Sequence, residues 1–428
     1  LDVLASIADP AYQTELGAFN IEFNVPPRPL PGRAGLELED DVRASLNAAE
    51  AKADARGAHI VMVGILPTLM PEHLSHDWMS ESHRYRALNE SIFTARGEDI
   101  LIDIAGPERL SLYSATIAPE SACTSMQLHL QVAPADFAAN WNAAQIVAGP
   151  QLALGANSPF FFGHQLWAET RVELFKQATD TRPDELKAQG VRPRVWFGER
   201  WITSIFDLFE ENVRYFPSLL PELSDEDPKA ELAAGRTPAL HELRLHNGTV
   251  YRWNRPVYDV VRGRPHLRVE NRVLPAGPTV IDMMANSAFY YGLLRTLSEE
   301  DRPLWTKLSF AAAEHNFTAA ARDGIEARLY WPGLGEVTAD ELTLRRLLPM
   351  ADAGLRRWGV AGEVRDRFLG VIEGRAKTGR NGATWQVGTV HALQRNGLSR
   401  PHALAEMLRL YCERMHSNAP VHTWDGPR

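Results

Sequence analysis

Apolar and polar residues alternate along three short segments in the first two thirds of the chain, strictly so in the first of them. The segments are FNIEFNV (19–25), SMQLHLQV (125–132) and HLRVENRVL (266–274). A period of two predicts β-strands whose two faces meet different surroundings. The polar positions carry Asn, Gln, His, Glu and Arg, whereas solvated faces usually favour Thr, Lys, Glu and Ser. Each segment alone fits a half-exposed strand; together they favour one sheet whose polar face lines a cavity.

The remaining pattern is mainly helical. Helix-like segments separate the strands without a regular strand–helix–strand order, and the part of the chain from 283 to 428 reads as mostly helical. This arrangement predicts an α+β fold rather than a doubly wound sheet. The dipeptide Asn247-Gly248 predicts a type I′ hairpin turn. The acidic, proline-rich segment 217–238 is either a linker or a surface excursion, and we treat 1–428 as a single domain.

Composition changes this picture mainly by exclusion. The chain has 428 residues, of which 45% are apolar and 23% are charged, as in ordinary globular proteins. A net charge of −9 argues against a nucleic-acid partner. Two cysteines exclude a disulfide-stapled module and a multi-cysteine metal site. No apolar run reaches the ~18 residues of a membrane span, so we expect a cytoplasmic protein with no membrane partner.

The candidate chemistry lies on the polar strand faces, because the common nucleotide-loop, nucleophile-elbow and zinc-helix motifs are absent from the sequence. Glu22 and Glu270 offer the oxygen ligands that Mg²⁺ and Mn²⁺ prefer, and His129 is compatible with both ions. Arg268 and Arg272 flank Glu270 on the same strand face. Positive charge beside a metal suits the transfer of a phosphoryl group.

Five segments in a fixed order carry a family resemblance. LALGANSPFFFGHQLWAETR, from Leu152, holds an Asn-Ser-Pro turn followed by Arg171. It stands with FNIEFNV, SMQLHLQV, RVENR and the basic stretch RAKTGRNGATWQ from Arg375. Over residues 16–386 the chain resembles the second type of glutamate–cysteine ligase and its carboxylate–amine ligase relatives, as an atypical bacterial branch.

The resemblance implies a glutamine-synthetase-like fold. In such a fold, a curved and mainly antiparallel sheet presents a polar concave face, and helices pack on its outside. The resemblance also implies ATP-dependent amide formation with Mg²⁺ or Mn²⁺. The γ-phosphate passes to a small-molecule carboxylate, glutamate being the first candidate, and an amine acceptor attacks the acyl phosphate. It leaves homo-oligomerisation and the identity of the acceptor open.

Carried over residue by residue, the resemblance assigns roles within one catalytic domain. Trp253 also fits a packed aromatic, and Arg375 and Lys377 also fit an exposed charged turn. The implied metal ligands are Glu22, His129 and Glu270; the catalytic arginines facing phosphate are Arg272 and Arg268; the substrate-binding residues are Arg171, Arg255, Gln127, Asn157 and Trp253; and the ATP-binding residues are Arg375 and Lys377.

One departure from the family pattern leaves alternatives open. The family opens with a strand bearing paired glutamates, but residues 1–16 supply only Glu15 and two aspartates. Either that strand lies upstream of Leu1, or the chain binds fewer metal ions. A non-catalytic nucleotide- or amino-acid-binding scaffold on the same fold is the first alternative. A metal hydrolase using His129 and the two glutamates is the second. The ligase interpretation requires Glu22, His129 and Glu270 to face a common cavity.

Overall fold

Helices form the larger part of the computed structural model, which describes residues 2–220 and 222–426. Small antiparallel sheets lie among them, so the predicted α+β class is confirmed. Short 3₁₀ turns and one π-helical turn (Thr343–Leu347) connect several elements. The α-helices, in chain order, are α1 (Asp2–Ile7), α2 (Ala34–Asp54), α3 (His83–Arg96), α4 (Phe137–Gly155), α5 (Thr170–Ala178), α6 (Asp184–Ala188), α7 (Ile205–Tyr215), α8 (Pro228–Ala233), α9 (His241–Gly248), α10 (Val280–Ser298), α11 (Phe310–Asp323), α12 (Ala339–Leu342), α13 (Leu348–Arg357), α14 (Gly362–Thr378), α15 (Gly382–Arg395) and α16 (Arg400–Ser417).

The strands are short and fall into six sheets within the described residues. Five of these sheets are two-stranded, and only the pairing of β8 with β9 is parallel. The strands are β1 (Tyr12–Thr14), β2 (Ile21–Phe23), β3 (Ile100–Ala105), β4 (Arg109–Ser114), β5 (Leu128–Val132), β6 (Phe160–Phe161), β7 (His164–Gln165), β8 (Val195–Trp196), β9 (Tyr251–Arg252), β10 (Asn254–Val261), β11 (Arg264–Asn271), β12 (Arg328–Trp331) and β13 (Gly335–Thr338).

The largest sheet has the strand order β10–β11–β5, and it joins two of the three alternating segments. Leu128, Leu130 and Val132 on one face of β5 are buried, while the residues between them are exposed. The buried face packs on α4, which is apolar on nearly every side and lies in the main core. The alternation in the sequence therefore predicts correctly which face of this sheet turns inward.

The hairpin predicted at Asn247-Gly248 is wrong, because these two residues form the end of α9. The Asn247 amide donates to the carbonyl of Pro256 at 2.7 Å and accepts from Asn212 at 3.0 Å, so tertiary contacts hold this segment. The two-residue turn lies instead at Arg262-Gly263, with φ of 51° and 73°, and joins β10 to β11. Positive φ at both turn positions is the type I′ geometry.

The remaining alternating segment, FNIEFNV (19–25), does not join the largest sheet. This contradicts the expectation that all three segments share one sheet. Strand β2 of this segment pairs with β1, which places Gln13 opposite Glu22. Tyr12 stacks on Phe23 with ring centroids 4.6 Å apart, and the pair belongs to a small separate core with residues of α1 and α2. Because this hairpin buries its apolar face locally, it needs no place in the larger sheet.

Helices dominate the chain after β11. Helices α10 to α16 follow the sheet, interrupted by the β12–β13 hairpin. Segment 217–238, apart from Pro221, which lies outside the described residues, is largely exposed and contains the short helix α8. In the part of the chain that the structure describes, no helix combines the length and the apolar character needed to cross a bilayer.

Candidate active site

Three polar side chains form one row across the largest sheet. Arg255 on β10 lies opposite Glu270 on β11, and Glu270 lies opposite His129 on β5. Directly opposed residues of antiparallel strands point to the same face, so the row lies on the side away from α4. Arg272 follows β11 and also contacts Glu270. We call these four residues the sheet cluster.

Glu270 is the centre of the sheet cluster, with 3% of its side chain exposed. The Arg255 guanidinium donates to both carboxylate oxygens, at 2.5 and 3.1 Å, and Arg272 Nη1 lies 3.5 Å from Oε2. Burial alone would raise the pKa of Glu270, but the charges of Arg255 and Arg272 outweigh it and lower the pKa to about 2. Glu270 is therefore ionised at neutral pH.

His129 lies at the edge of the sheet cluster, with 38% of its side chain exposed and Nε2 3.6 Å from Glu270 Oε1. Desolvation lowers the pKa of His129, and the nearby charges of the sheet-cluster arginines and Arg268 lower it further against the opposing effect of Glu270. The ring is consequently neutral at neutral pH, which leaves one nitrogen lone pair available as an acceptor or a ligand.

Arg268 occupies the next row of the same face, opposite Val257 and Gln131. Its guanidinium lies 3.8 Å from Asp259 and 3.3 Å from the ring of His266. The polar face thus carries three arginines close to one another. Glu270 neutralises part of this charge, and the face remains suited to an anionic ligand.

A second group of charged residues, Glu15, Glu22 and Glu120, lies near Arg272, and we call it the acidic cluster. Glu22 lies on β2, Glu15 follows β1, and Glu120 lies in a 3₁₀ turn. Burial raises the pKa of Glu120 to about 8, assisted by the charge of Glu15 and opposed by Arg272. Burial and the charge of Glu22 raise the pKa of Glu15, which Arg272 also opposes. Arg272 therefore acts on both clusters.

The acidic cluster contains two residues that sequence analysis did not select. The loop between β1 and β2 packs on the 3₁₀ turn, where Gly17 contacts Ser121 and the Asn20 amide donates to the carbonyl of Ser121. This contact brings Glu120 to Glu15. No periodicity in the sequence marks either residue, because β1 has only three residues and Glu120 lies in a 3₁₀ turn.

The family model described as Glutamate-cysteine ligase family 2 (GCS2) matches residues 7–401. The chain belongs to this family. A search of curated proteins gives no match to the chain. Family membership assigns the chain a ligase activity that forms an amide bond. The match spans the β1–β2 hairpin, the 3₁₀ turn and the largest sheet, so every residue of both clusters lies inside it.

The described residues include side chains that could bind a divalent cation, but these side chains do not form a complete metal site. In residues 2–220 and 222–426, no three His, Cys, Asp or Glu side chains are arranged to hold a metal ion. Glu270 is occupied by two arginines, and Glu22 lies close enough to Glu15 for its charge to act on that carboxyl. The acidic cluster offers the carboxylate oxygens that a hard divalent cation prefers. The charge of a bound cation would offset the repulsion between these carboxylates.

Three predicted substrate-binding residues lie inside the protein, behind the sheet cluster. Trp253 is 2% exposed and packs against Phe175 and Phe317, with ring centroids 5.9 and 5.2 Å away. Asn157 is fully buried, and its amide bonds Tyr411, Gln386 and the carbonyl of Ala276. The Arg171 side chain is 3% exposed and binds protein groups. The contacts of Trp253 and Asn157 are those of core residues.

Within the described residues, no contact joins Arg375, Lys377 or Gln127 to the sheet cluster. Arg375 is 1% exposed in α14 and pairs with Asp282 at 2.8 Å. Lys377, on the same helix, is exposed and pairs with Glu373 at 2.6 Å. Gln127 lies one residue before β5, partly exposed. Of the predicted residues, the structure thus joins His129, Arg255, Glu270 and Arg272, with Arg268 in the next row.

Proposed function

We propose that this protein is an ATP- and Mg²⁺-dependent ligase that joins a carboxylic acid, glutamate being the first candidate, to an amine. The carboxylate is first phosphorylated, and the amine then displaces phosphate from the acyl phosphate. The observation that supports this proposal is the position of Arg272, a member of the sheet cluster whose charge also acts on the acidic cluster. A reaction between anions needs fixed positive charge beside ligands for a cation.

In this proposal, the arginines bind and orient the anionic groups. Arg272 and, one row along, Arg268 stabilise the charge that develops on the transferred phosphoryl group. Arg255 binds the substrate carboxylate through Nη1, since its Nε and Nη2 already donate to Glu270. Glu270 holds Arg255 and Arg272 in place through the bonds described above, so both guanidinium groups keep their orientation when substrate enters.

The acidic cluster, with the neutral ring of His129 as a further ligand, would hold the divalent cation in this proposal. A bound Mg²⁺ supplies charge neutralisation for the phosphate oxygens. Cation binding would also favour loss of the Glu120 proton, because a nearby positive charge favours the carboxylate form over the acid. We place the reaction in the cytoplasm, where ATP and free amino acids are abundant.

The test is to incubate purified protein with ATP, Mg²⁺, glutamate and pools of amines, and to measure ADP. Hydroxylamine should trap the acyl phosphate as a hydroxamate even when the natural amine is absent from the pool. Arg272→Gln should lower ADP release by at least about tenfold, as expected for loss of a charge that stabilises the transition state. Arg322→Gln, which alters an exposed pair with Asp323, is the matched control. Absence of ADP, hydroxamate and nucleotide binding would refute the ligase proposal.

A non-catalytic binding protein is the second candidate, and one observation favours it. Both oxygens of Glu270 are occupied by Arg255, and the described residues contain no preformed metal group. A site that serves only to bind would keep this closed arrangement. Such a protein would gain thermal stability with nucleotide or glutamate but would release no ADP, and Arg272→Gln would abolish the gain in stability.

A further inference from the structure

Glu169 and Arg171 form a buried ion pair directly behind the sheet cluster. Their side chains are 0% and 3% exposed, and Arg171 Nε donates to Glu169 Oε1 at 2.9 Å. The guanidinium of Arg171 also lies over the ring of Trp253, 5.6 Å from its centroid. A pair this deeply buried loses its hydration and persists only where further bonds satisfy its polar atoms.

The further bonds of Arg171 reach the segment that carries Arg272. Nη1 donates to the backbone carbonyl of Arg272 at 3.4 Å, and Nη2 donates to the backbone carbonyl of Val273. The backbone nitrogen of Arg272 donates to the carbonyl of Trp253 at 2.8 Å. The backbone of Arg272 is therefore held on both sides just beyond the end of β11.

Glu169 is fixed in turn by the Asn-Ser-Pro turn that the sequence singled out. Its Oε2 accepts the backbone N–H of Asn157 at 2.8 Å, and Ser158 Oγ accepts the backbone N–H of Arg171 at 3.3 Å. Burial raises the pKa of Glu169 and the charge of Arg171 opposes this shift. The turn, the carboxylate and the guanidinium thus form one continuous chain of bonds to Arg272.

We propose that Arg171 is a positioning residue that sets the backbone of Arg272 for the reaction, rather than a residue that grips the substrate carboxylate. The three guanidinium nitrogens of Arg171 donate to Glu169 and to the carbonyls of Arg272 and Val273. The flat face of the guanidinium lies over the ring of Trp253. A guanidinium whose nitrogens are all engaged in this way has no free pair of N–H groups to bind a ligand carboxylate. The inference rests on the proposed ligase activity and identifies what keeps its central arginine in place.

The test compares Arg171→Lys with Arg96→Lys. Arg96 is equally buried, at 2% side-chain exposure, and also binds backbone carbonyls, those of Asp180 and Arg182, away from both clusters. We expect both variants to lose similar thermal stability. Only Arg171→Lys should lower kcat, by about 10- to 100-fold as for lost support of an active residue, with the KM for glutamate changed less than threefold.

Glu169→Gln provides a second variant that keeps the size of the side chain and its ability to accept hydrogen bonds. It should lower kcat less than Arg171→Lys does, and it keeps the inference testable if the lysine variant fails to fold. A kcat loss in Arg171→Lys no larger than in Arg96→Lys would overturn the inference, as would a rise in the KM for glutamate at constant kcat. Wild-type protein without ADP release would instead refute the proposed function itself.

Discussion

Two carboxylates of the candidate site have pKa values displaced in opposite directions. The pKa of Glu270 is lowered to about 2, because Arg255 and Arg272 outweigh the effect of burial. The pKa of Glu120 is raised to about 8, because burial and the charge of Glu15 outweigh Arg272. At neutral pH, Glu270 is therefore ionised and Glu120 holds a proton. The same arginine acts on both groups, and the difference lies in what else surrounds each carboxylate.

Glu120→Gln should become relatively more stable as pH rises. The glutamate ionises near 4.5 in the unfolded chain and near 8 in the folded protein, so the folded state binds more protons between these values. Wild-type stability is then lost with rising pH over this window, by at most about 1.4 kcal/mol per pH unit. The melting temperature of Glu120→Gln minus that of wild type should increase from pH 5 to pH 8 without divalent cations. A difference independent of pH would contradict the assignment.

Glu270→Gln should destabilise the protein by about 3–5 kcal/mol at pH 7, because it removes the counter-ion of two partly buried guanidinium groups, each 18% exposed. The lowered pKa means that the stabilisation is present above pH 4.5 and disappears as pH falls from 4.5 towards 2. Urea unfolding at pH 7 and pH 3 should show the defect shrinking in acid. Glu336→Gln, in an exposed pair with Arg328, is the control and should change stability by less than about 0.5 kcal/mol.

At the scale of elements, the alternation in the sequence predicted much of the sheet that carries the site. It located the strands that became β5 and β11 and assigned His129 and Glu270 to the polar face, where they stand directly opposite each other. It also assigned Arg268 and Arg272 to that face. Alternation carries this information because burial of one face fixes which side chains point inward, whatever the neighbouring strand is.

The elements that sequence analysis missed depend on long-range contacts. Strand β2 alternates as clearly as β5, but it pairs with β1, whose three residues give almost no periodic signal. The preference of Asn247-Gly248 for a turn is local, and contacts with other segments override it. Glu120 joins the acidic cluster through a 3₁₀ turn packed on a loop, and no local pattern encodes such an approach.

The assignment of the β10–β11 turn can be tested by substituting its two residues separately. Gly263→Val should destabilise the protein by at least about 1 kcal/mol, because a β-branched residue cannot readily adopt φ of 73°. Arg262→Asn, at φ of 51°, should stabilise it by a few tenths of a kcal/mol up to about 1, since Asn-Gly is the preferred type I′ pair. Thermal unfolding of both variants measures the effect. Equal effects of the two substitutions would contradict the turn assignment.

At the scale of the whole molecule, segments distant in sequence converge behind the candidate site. All but the first two residues of α16, and the residues after it, lie beyond the family match, yet they pack on the interior of the matched part. The Tyr411 hydroxyl accepts from Asn157 and donates to the carbonyl of Met62, at 2.8 and 2.7 Å. Trp424 packs on Tyr411 and Trp385, with ring centroids 5.4 and 5.0 Å away. The C-terminal part of the described chain therefore supports the turn that anchors Glu169.

Trp424→Ala should lower the free energy of unfolding by about 3–5 kcal/mol, as for other buried aromatic side chains. Trp424 is 3% exposed, and its indole N–H donates to the carbonyl of Ala419. Trp78→Ala is the matched control: Trp78 is 43% exposed, and its removal should change stability by less than about 1 kcal/mol. Calorimetry of both variants gives the comparison, and a small effect at Trp424 would show that this packing does not support the fold.

The exposed end of the β10–β11 hairpin provides an attachment point for a probe. Val261, Arg262 and Gly263 are all exposed, while Arg255 lies near the other end of the same strand. Arg255 and Val261 are six positions apart along this extended strand, about 20 Å at the usual rise per residue. A fluorophore attached at position 262 would lie in the turn that follows the strand carrying Arg255, outside both clusters. Energy transfer between this fluorophore and a fluorescent nucleotide would then follow ligand arrival in real time, without a coupled enzyme assay.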